Sequence, residues 1–199
     1  MDPKLLVDAR IHLELAGAAL AAGALIAVPL GVLAANAGAG RGIILGIAAV
    51  GRTLPSLAVL TFIVPFLGVG FWPAAVALTL LATPPIVINT DLGLRGVDPA
   101  SMDAARGMGM TPRQAFARVA WPLALPATVA GLRTAAIEVI ASATLATFVG
   151  ARGLGDEIVA GMQTGDNHVL YLGAATVALL ALAVELLGGA LVKRIGAST

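Results

Sequence analysis

Apolar residues run along this chain in long uninterrupted blocks, and the blocks are separated by short polar breaks. A membrane-spanning helix needs about 20 mostly apolar residues. Five segments reach that length: 13–35, 43–67, 71–88, 123–149 and 169–192. The first carries Pro29 and the second carries Pro55 and Pro65, while the third runs out near Pro84-Pro85. Proline removes a backbone donor and bends a helix, which a membrane bundle tolerates where neighbours satisfy the freed carbonyls. The second segment is therefore expected as two pieces rather than one straight rod. Two polar stretches remain, 89–121 and 150–168, and the other connections are short. The pattern predicts an all-α membrane protein of about five transmembrane helices, forming a single domain over 1–199 with no sizeable soluble part and no internal repeat.

Composition supports that reading. Hydrophobic residues make up 59% of the chain and charged residues 12%, against about 25% charged in a soluble domain. Glycine is abundant, at 24 residues, and aromatics supply only 4%. Small residues let membrane helices approach closely. The net charge of +1 gives no ground for nucleic-acid binding, and with no cysteine there is neither a disulfide framework nor a thiolate metal site. The first apolar block exceeds the roughly 7–15 residues of a signal-peptide core, so it is expected to be a retained helix.

The basic residues matter by position. Arg41 and Arg52 flank the first connection, Arg95, Arg106, Arg113 and Arg118 stand in the third, and Lys193 and Arg194 follow the last span. Lys4, Arg10 and Arg152 fall on the opposite side. The positive-inside rule then places the long third connection and the C-terminus in the cytoplasm and the N-terminus outside.

That third connection, 89–121, carries the most local information. Asp98-Pro99 reads as an N-cap followed by proline at the first helical position. A short helix is expected over 98–108, and Gly107 and Gly109 then allow a turn. Thr111-Pro112-Arg113-Gln114 has the form of a capping box and restarts a helix over 111–120. The chain re-enters the membrane at Trp121-Pro122. Asp103 lies in the early turns of its helix, where the dipole favours negative charge. Ala104 and Ala105 permit close approach to another protein.

Asp103-Ala104-Ala105, Gly109 six residues after the aspartate, Val119 and Pro122 resemble the EAA motif of ABC import permeases, with Trp121 in place of the usual leucine. Arg52-Thr53-Leu54-Pro55-Ser56, Gly96-Val97-Asp98-Pro99, the segment from Ala105 to Met110, Gly131-Leu132-Arg133-Thr134 and the segment from Gly150 to Gly155 extend the likeness over nearly the whole chain. The family they resemble is the permease subunit of glycine betaine/choline/carnitine osmoprotectant importers. The resemblance implies a type I (MetI-like) importer fold in the bacterial cytoplasmic (inner) membrane. It implies a second permease subunit, identical or not, and two ABC ATPase subunits that bind ATP and magnesium, so that this chain holds no cofactor. It also implies an extracytoplasmic solute-binding protein. Asp103, Ala104, Ala105, Gly109, Val119 and Pro122 are then the residues that couple to the ATPase. No Walker-type loop is present, since Gly38-Ala39-Gly40-Arg41-Gly42 lacks the Lys-Ser/Thr that would complete one, so no ATPase activity is expected from the chain itself.

Several polar residues fall inside apolar blocks. Thr134, Glu138 and Ser142 recur every four residues and form one stripe, which would either line a translocation path or make a helix–helix seam. The resemblance implies an uncharged residue where Glu138 stands. Arg133 and Glu185 lie at similar depths on antiparallel neighbours and are expected to form a salt bridge. Asp91 and Arg95, four apart, are expected to pair on the surface. Asp156, Glu157 and Asp166 fall on the outer side and read as solvated loop charge, with contact to a binding protein as the alternative. His12 and His168 stand alone, and no metal role is assigned to them. A methionine-type amino-acid importer is the nearest alternative function. An ion-coupled secondary transporter is a more distant one, because it would want paired repeats around a midplane site.

Overall fold

A computed structural model describes residues 3–198, and all regular structure among the described residues is helical. Helix α1 spans Pro3–Asn36, α2 Arg41–Gly51, α3 Ser56–Leu67 and α4 Phe71–Arg95. Then follow α5 (Pro99–Gly107), α6 (Pro112–Ala115), α7 (Trp121–Ala143), α8 (Leu154–Thr164) and α9 (Asn167–Ser198).

Among the described residues, four rods are long and apolar enough to cross a bilayer: α1, α4, the continuous run Pro112–Val149 containing α6 and α7, and α9. The fifth crossing exists only if α2 and α3 count together, because they meet at 97°. The break falls where Pro55 adopts an extended conformation and caps α3. The expected 43–67 segment is thus an elbow, as its prolines suggest.

Three boundaries differ from the hydropathy reading. Helix α1 begins at Pro3, so Lys4, Asp8, Arg10 and His12 stand on the helix itself. Helix α4 passes through Pro84 and Pro85 and ends at Arg95, so Asn89, Thr90 and Asp91 belong to the helix rather than to a loop. The helix expected over 111–120 is not a separate element: α6 passes through a π-type turn at Phe116–Ala120 directly into α7. Pro122 has no N–H to give, and the widened turn just before it absorbs the missing helical bond.

The core lies where α4 packs between α1 and α7. Alanines dominate it, with Leu15, Leu78 and Ile86 as the larger fully buried side chains. Backbone approach sets the spacing. A Cβ on Gly31 would stand 2.5 Å from that of Thr90, and one on Gly131 would stand 2.9 Å from the Pro85 carbonyl oxygen. Large aliphatic and aromatic residues such as Leu25, Ile47, Phe62, Leu179 and Leu187 are left on the outside, where a bilayer would meet them.

Candidate functional site

The surface connection between α4 and α7 is locally determined. The Asp98 carboxylate accepts from the Ala100 N–H at 2.9 Å, with Pro99 at the first helical position of α5. At the other end, the Gly109 and Met110 N–H groups donate to the carbonyls of Arg106 and Ala105 at 2.9 and 3.1 Å. These bonds close the helix through Gly109, whose φ of +78° lies in the left-handed region. Nothing stands within 4 Å of a Cβ placed there, so backbone strain alone favours glycine. Thr111 and Gln114 form the reciprocal capping box: the Thr111 N–H donates to Gln114 Oε1 at 2.9 Å, and the Gln114 N–H donates to Thr111 Oγ1 at 3.4 Å.

This arrangement divides the EAA-type residues into two groups. Asp103 and Ala104 are exposed, and Met108 is 70% exposed although it is apolar. The Asp103 carboxylate accepts from Arg106 at 3.1 Å on the same open face. Ala105, by contrast, is fully buried, and Ala115 and Ala120 are buried with it. Ala105 therefore does not offer itself to another protein, as the sequence suggested. One residue further round α5, it packs inward and seats that helix on the start of the α6–α7 rod. Val119 and Pro122 are half-buried and belong to the root of that rod. A groove of about 400 Å³ runs beside α5, bounded by Asn36, Arg95, Met102, Arg106 and Phe116.

Charges inside the bundle are paired with more order than the sequence indicated. The expected bridge between Arg133 and Glu185 is formed: Arg133 Nε donates to Glu185 Oε2 at 2.7 Å, and a second guanidinium N–H reaches Oε1. Gly188 makes room for the arginine stem, since a Cβ there would stand 2.9 Å from Arg133 Cγ. The expected surface pair of Asp91 with Arg95 is not formed. Asp91 is fully buried and takes a two-pronged contact from Arg41, Nε to Oδ1 at 2.9 Å and a terminal nitrogen to Oδ2 at 2.7 Å. The rotation of α4 turns Asp91 toward the start of α2, while Arg95, one turn on, remains exposed.

At the opposite end of the bundle, Lys4 pairs with Glu157 at 2.7 Å and Arg152 with Asp8 at 3.3 Å, joining α1 to the segment before α8 and to α8 itself. Glu157 is buried rather than solvated, and Asp156 accepts from the Thr147 hydroxyl. Asp166 caps α9 through the His168 N–H at 2.9 Å. None of these three acidic residues is idle loop charge. His12 is buried with its ring nitrogen 3.0 Å from the Ile140 carbonyl. An aspartate and a histidine within an apolar helix were the available signals, but a single helix cannot show its partner.

The stripe of Thr134, Glu138 and Ser142 also resolves. Thr134 is exposed and bonds back to the Ala130 carbonyl at 3.1 Å. Glu138 and Ser142 face a cavity of about 330 Å³ together with Arg52 and Ser56 at the α2–α3 elbow. Arg52 is therefore not a flanking residue of the first connection. Among the other basic residues, Lys4, Arg10 and Arg152 stand at one end and Arg41, Arg95, Arg106, Arg113 and Arg118 at the other.

A family model described as binding-protein-dependent transport system inner membrane component matches residues 27–197. The chain is 42% identical over 191 residues to the carnitine transport permease protein OpuCB of Listeria monocytogenes, covering 96% of this chain and 88% of that protein. It is also 42% identical over 174 residues to the choline transport system permease protein OpuBB of Bacillus subtilis, covering 87% and 80%. Among solved structures, an inward-facing MetNI methionine ABC transporter superposes with a TM-score of 0.85 at 25% identity, over 98% of this chain and 99% of that one. An amino acid ABC transporter solved with histidines superposes with a TM-score of 0.76 at 18% identity, over 99% and 94%, a likeness of fold.

Proposed function

This chain belongs to the family of binding-protein-dependent transport system inner membrane components, and from that premise we propose that it is the membrane-spanning subunit of an ATP-driven importer of compatible solutes. As a member of the family, it is a multi-pass permease of the bacterial inner membrane with a MetI-like fold. The solute class, quaternary ammonium compounds such as glycine betaine, choline and carnitine, is supported by relatives about 40% identical over most of the chain. The methionine transporter shares the fold at lower identity, so it supports the architecture more than the substrate.

The observation that carries the transport mechanism is the exposed, doubly capped α5. Its ends are closed by Asp98 and by the Gly109 turn, and it presents Asp103, Ala104 and Met108 outward. A rigid helix that stands on the root of a spanning rod transmits a push along that rod. We assign the push to a separate ATPase subunit seated on this face. ATP and magnesium belong to that partner, and a second permease chain completes the path. An extracytoplasmic binding protein delivers the solute.

The test is reconstitution of the chain with its genomically adjacent ATPase and binding protein in vesicles. ATP-dependent uptake of radiolabelled glycine betaine or carnitine, with methionine left outside, is the expected result. Uptake of methionine alone would move the assignment to the amino-acid importers. Uptake without ATP, driven by an ion gradient, would remove it from the ATP-driven class.

A further inference from the structure

We propose that the cavity between the α2–α3 elbow and α7 is a subsite for the solute in transit, built for a zwitterion, with Arg52 receiving its carboxylate and Glu138 its quaternary ammonium. The inference rests on the transport reading above and narrows it. Glu138 lies within the apolar spanning rod Pro112–Val149, on α7 five residues before that helix ends at Ala143. A charge inside such a span is costly unless it meets a counter-charge or a water-filled path. Arg133 and Glu185 meet that demand by closing on each other. Arg52 and Glu138 instead share the walls of one cavity of about 330 Å³, with Ser56 and Ser142 beside them and Leu54 and Leu81 as apolar walls.

The charges define the ligand. A guanidinium takes a carboxylate through two parallel N–H donors. A quaternary ammonium has no N–H to donate and asks only for negative field and apolar contact, which Glu138 and the leucines offer. A dipolar solute neutralises both walls at once. A simple cation leaves Arg52 unmatched, and a simple anion leaves Glu138 unmatched, so a carboxylate-bearing betaine is preferred to choline. Aromatic residues do not contribute to the lining, so attraction to the cation is carried by the carboxylate rather than by ring faces.

The experiment uses the permease–ATPase complex in nanodiscs without its binding protein. Saturation binding of radiolabelled glycine betaine is measured beside that of choline. Wild type is expected to bind glycine betaine at least tenfold more tightly than choline, and Arg52→Gln and Glu138→Gln are each expected to lose at least tenfold. A variant that leaves both charges in place, Leu54→Cys in this cysteine-free chain, guards against misfolding of the charge variants. Its labelling by a cationic thiol reagent should be blocked by glycine betaine and spared by equimolar choline. No saturable betaine binding, equal binding of choline, or labelling of the Leu54→Cys variant undiminished by betaine would overturn the subsite while binding-protein-driven uptake persisted. Loss of quaternary ammonium uptake in the complete wild-type system would overturn the transport reading instead.

Discussion

Arg41 and Asp91 clasp each other through paired contacts, at 2.9 and 2.7 Å, and tie the first turn of α2 to the last turns of α4. The two ends of the clasp are unequally exposed: the arginine side chain is 33% exposed and the aspartate 0%. The two single substitutions therefore differ in cost. Arg41→Met strands a buried carboxylate and is expected to be the costlier of the two substitutions. Asp91→Asn leaves an arginine that reaches water and an amide that still accepts, and about 1–2 kcal/mol is expected. The check is unfolding of the purified variants in mixed micelles. Equal losses would show that burial of the aspartate does not govern the pair.

The crossing of α1 over α4 makes a second prediction. Gly31 lies so close to Thr90 that any side chain forces the helices apart. Gly31→Leu is expected to cost about 1–3 kcal/mol, the usual penalty of overpacking. Gly17, on the same helix, has nothing within 4 Å of its Cβ direction. Gly17→Ala should be neutral or stabilise by up to about 1 kcal/mol through helix propensity. Thermal aggregation midpoints of the two variants, measured side by side, separate contact from propensity.

Coupling through α5 is tested at Gly109. Valine at φ +78° is strained by about 1–3 kcal/mol, whereas asparagine visits positive φ readily. Gly109→Val should therefore insert normally yet lose solute uptake or uncouple it from ATP hydrolysis. Gly109→Asn should retain most uptake, because no neighbour within the chain obstructs it. Vesicle uptake and ATPase rate, with insertion verified separately, give the answer. Full coupling in the valine variant would remove this turn from the coupling element.

Sidedness is the fourth prediction. The chain contains no cysteine, so single cysteines report without background. Ala104→Cys, on the exposed face of α5, should react with an impermeant maleimide only from the cytoplasm. Gln163→Cys, exposed at the end of α8, should react only from outside. The reverse pattern would invert the topology.

The sequence alone was enough for whatever depends on neighbours within a few residues. Spanning length is a sum over consecutive side chains, so the apolar blocks marked the rods, and Pro55 marked the elbow. The Asp98 cap, the Thr111–Gln114 capping box and the Gly109 turn close through hydrogen bonds spanning five residues or fewer, and each is present where it was read. Arg133 with Glu185 was within reach because depth along two antiparallel helices can be counted. Tertiary structure decided the rest, because rotation of a helix about its own axis is set by its neighbours and leaves no mark in local spacing. It turned Asp91 toward Arg41 instead of Arg95 and buried Ala105 while leaving Ala104 open. The same rotations brought Asp8 to Arg152, 144 residues on, and carried Arg52 from an apparent loop end to the wall facing Glu138. In a bilayer every such charge must find a counter-charge or water, and only packing determines which one it meets.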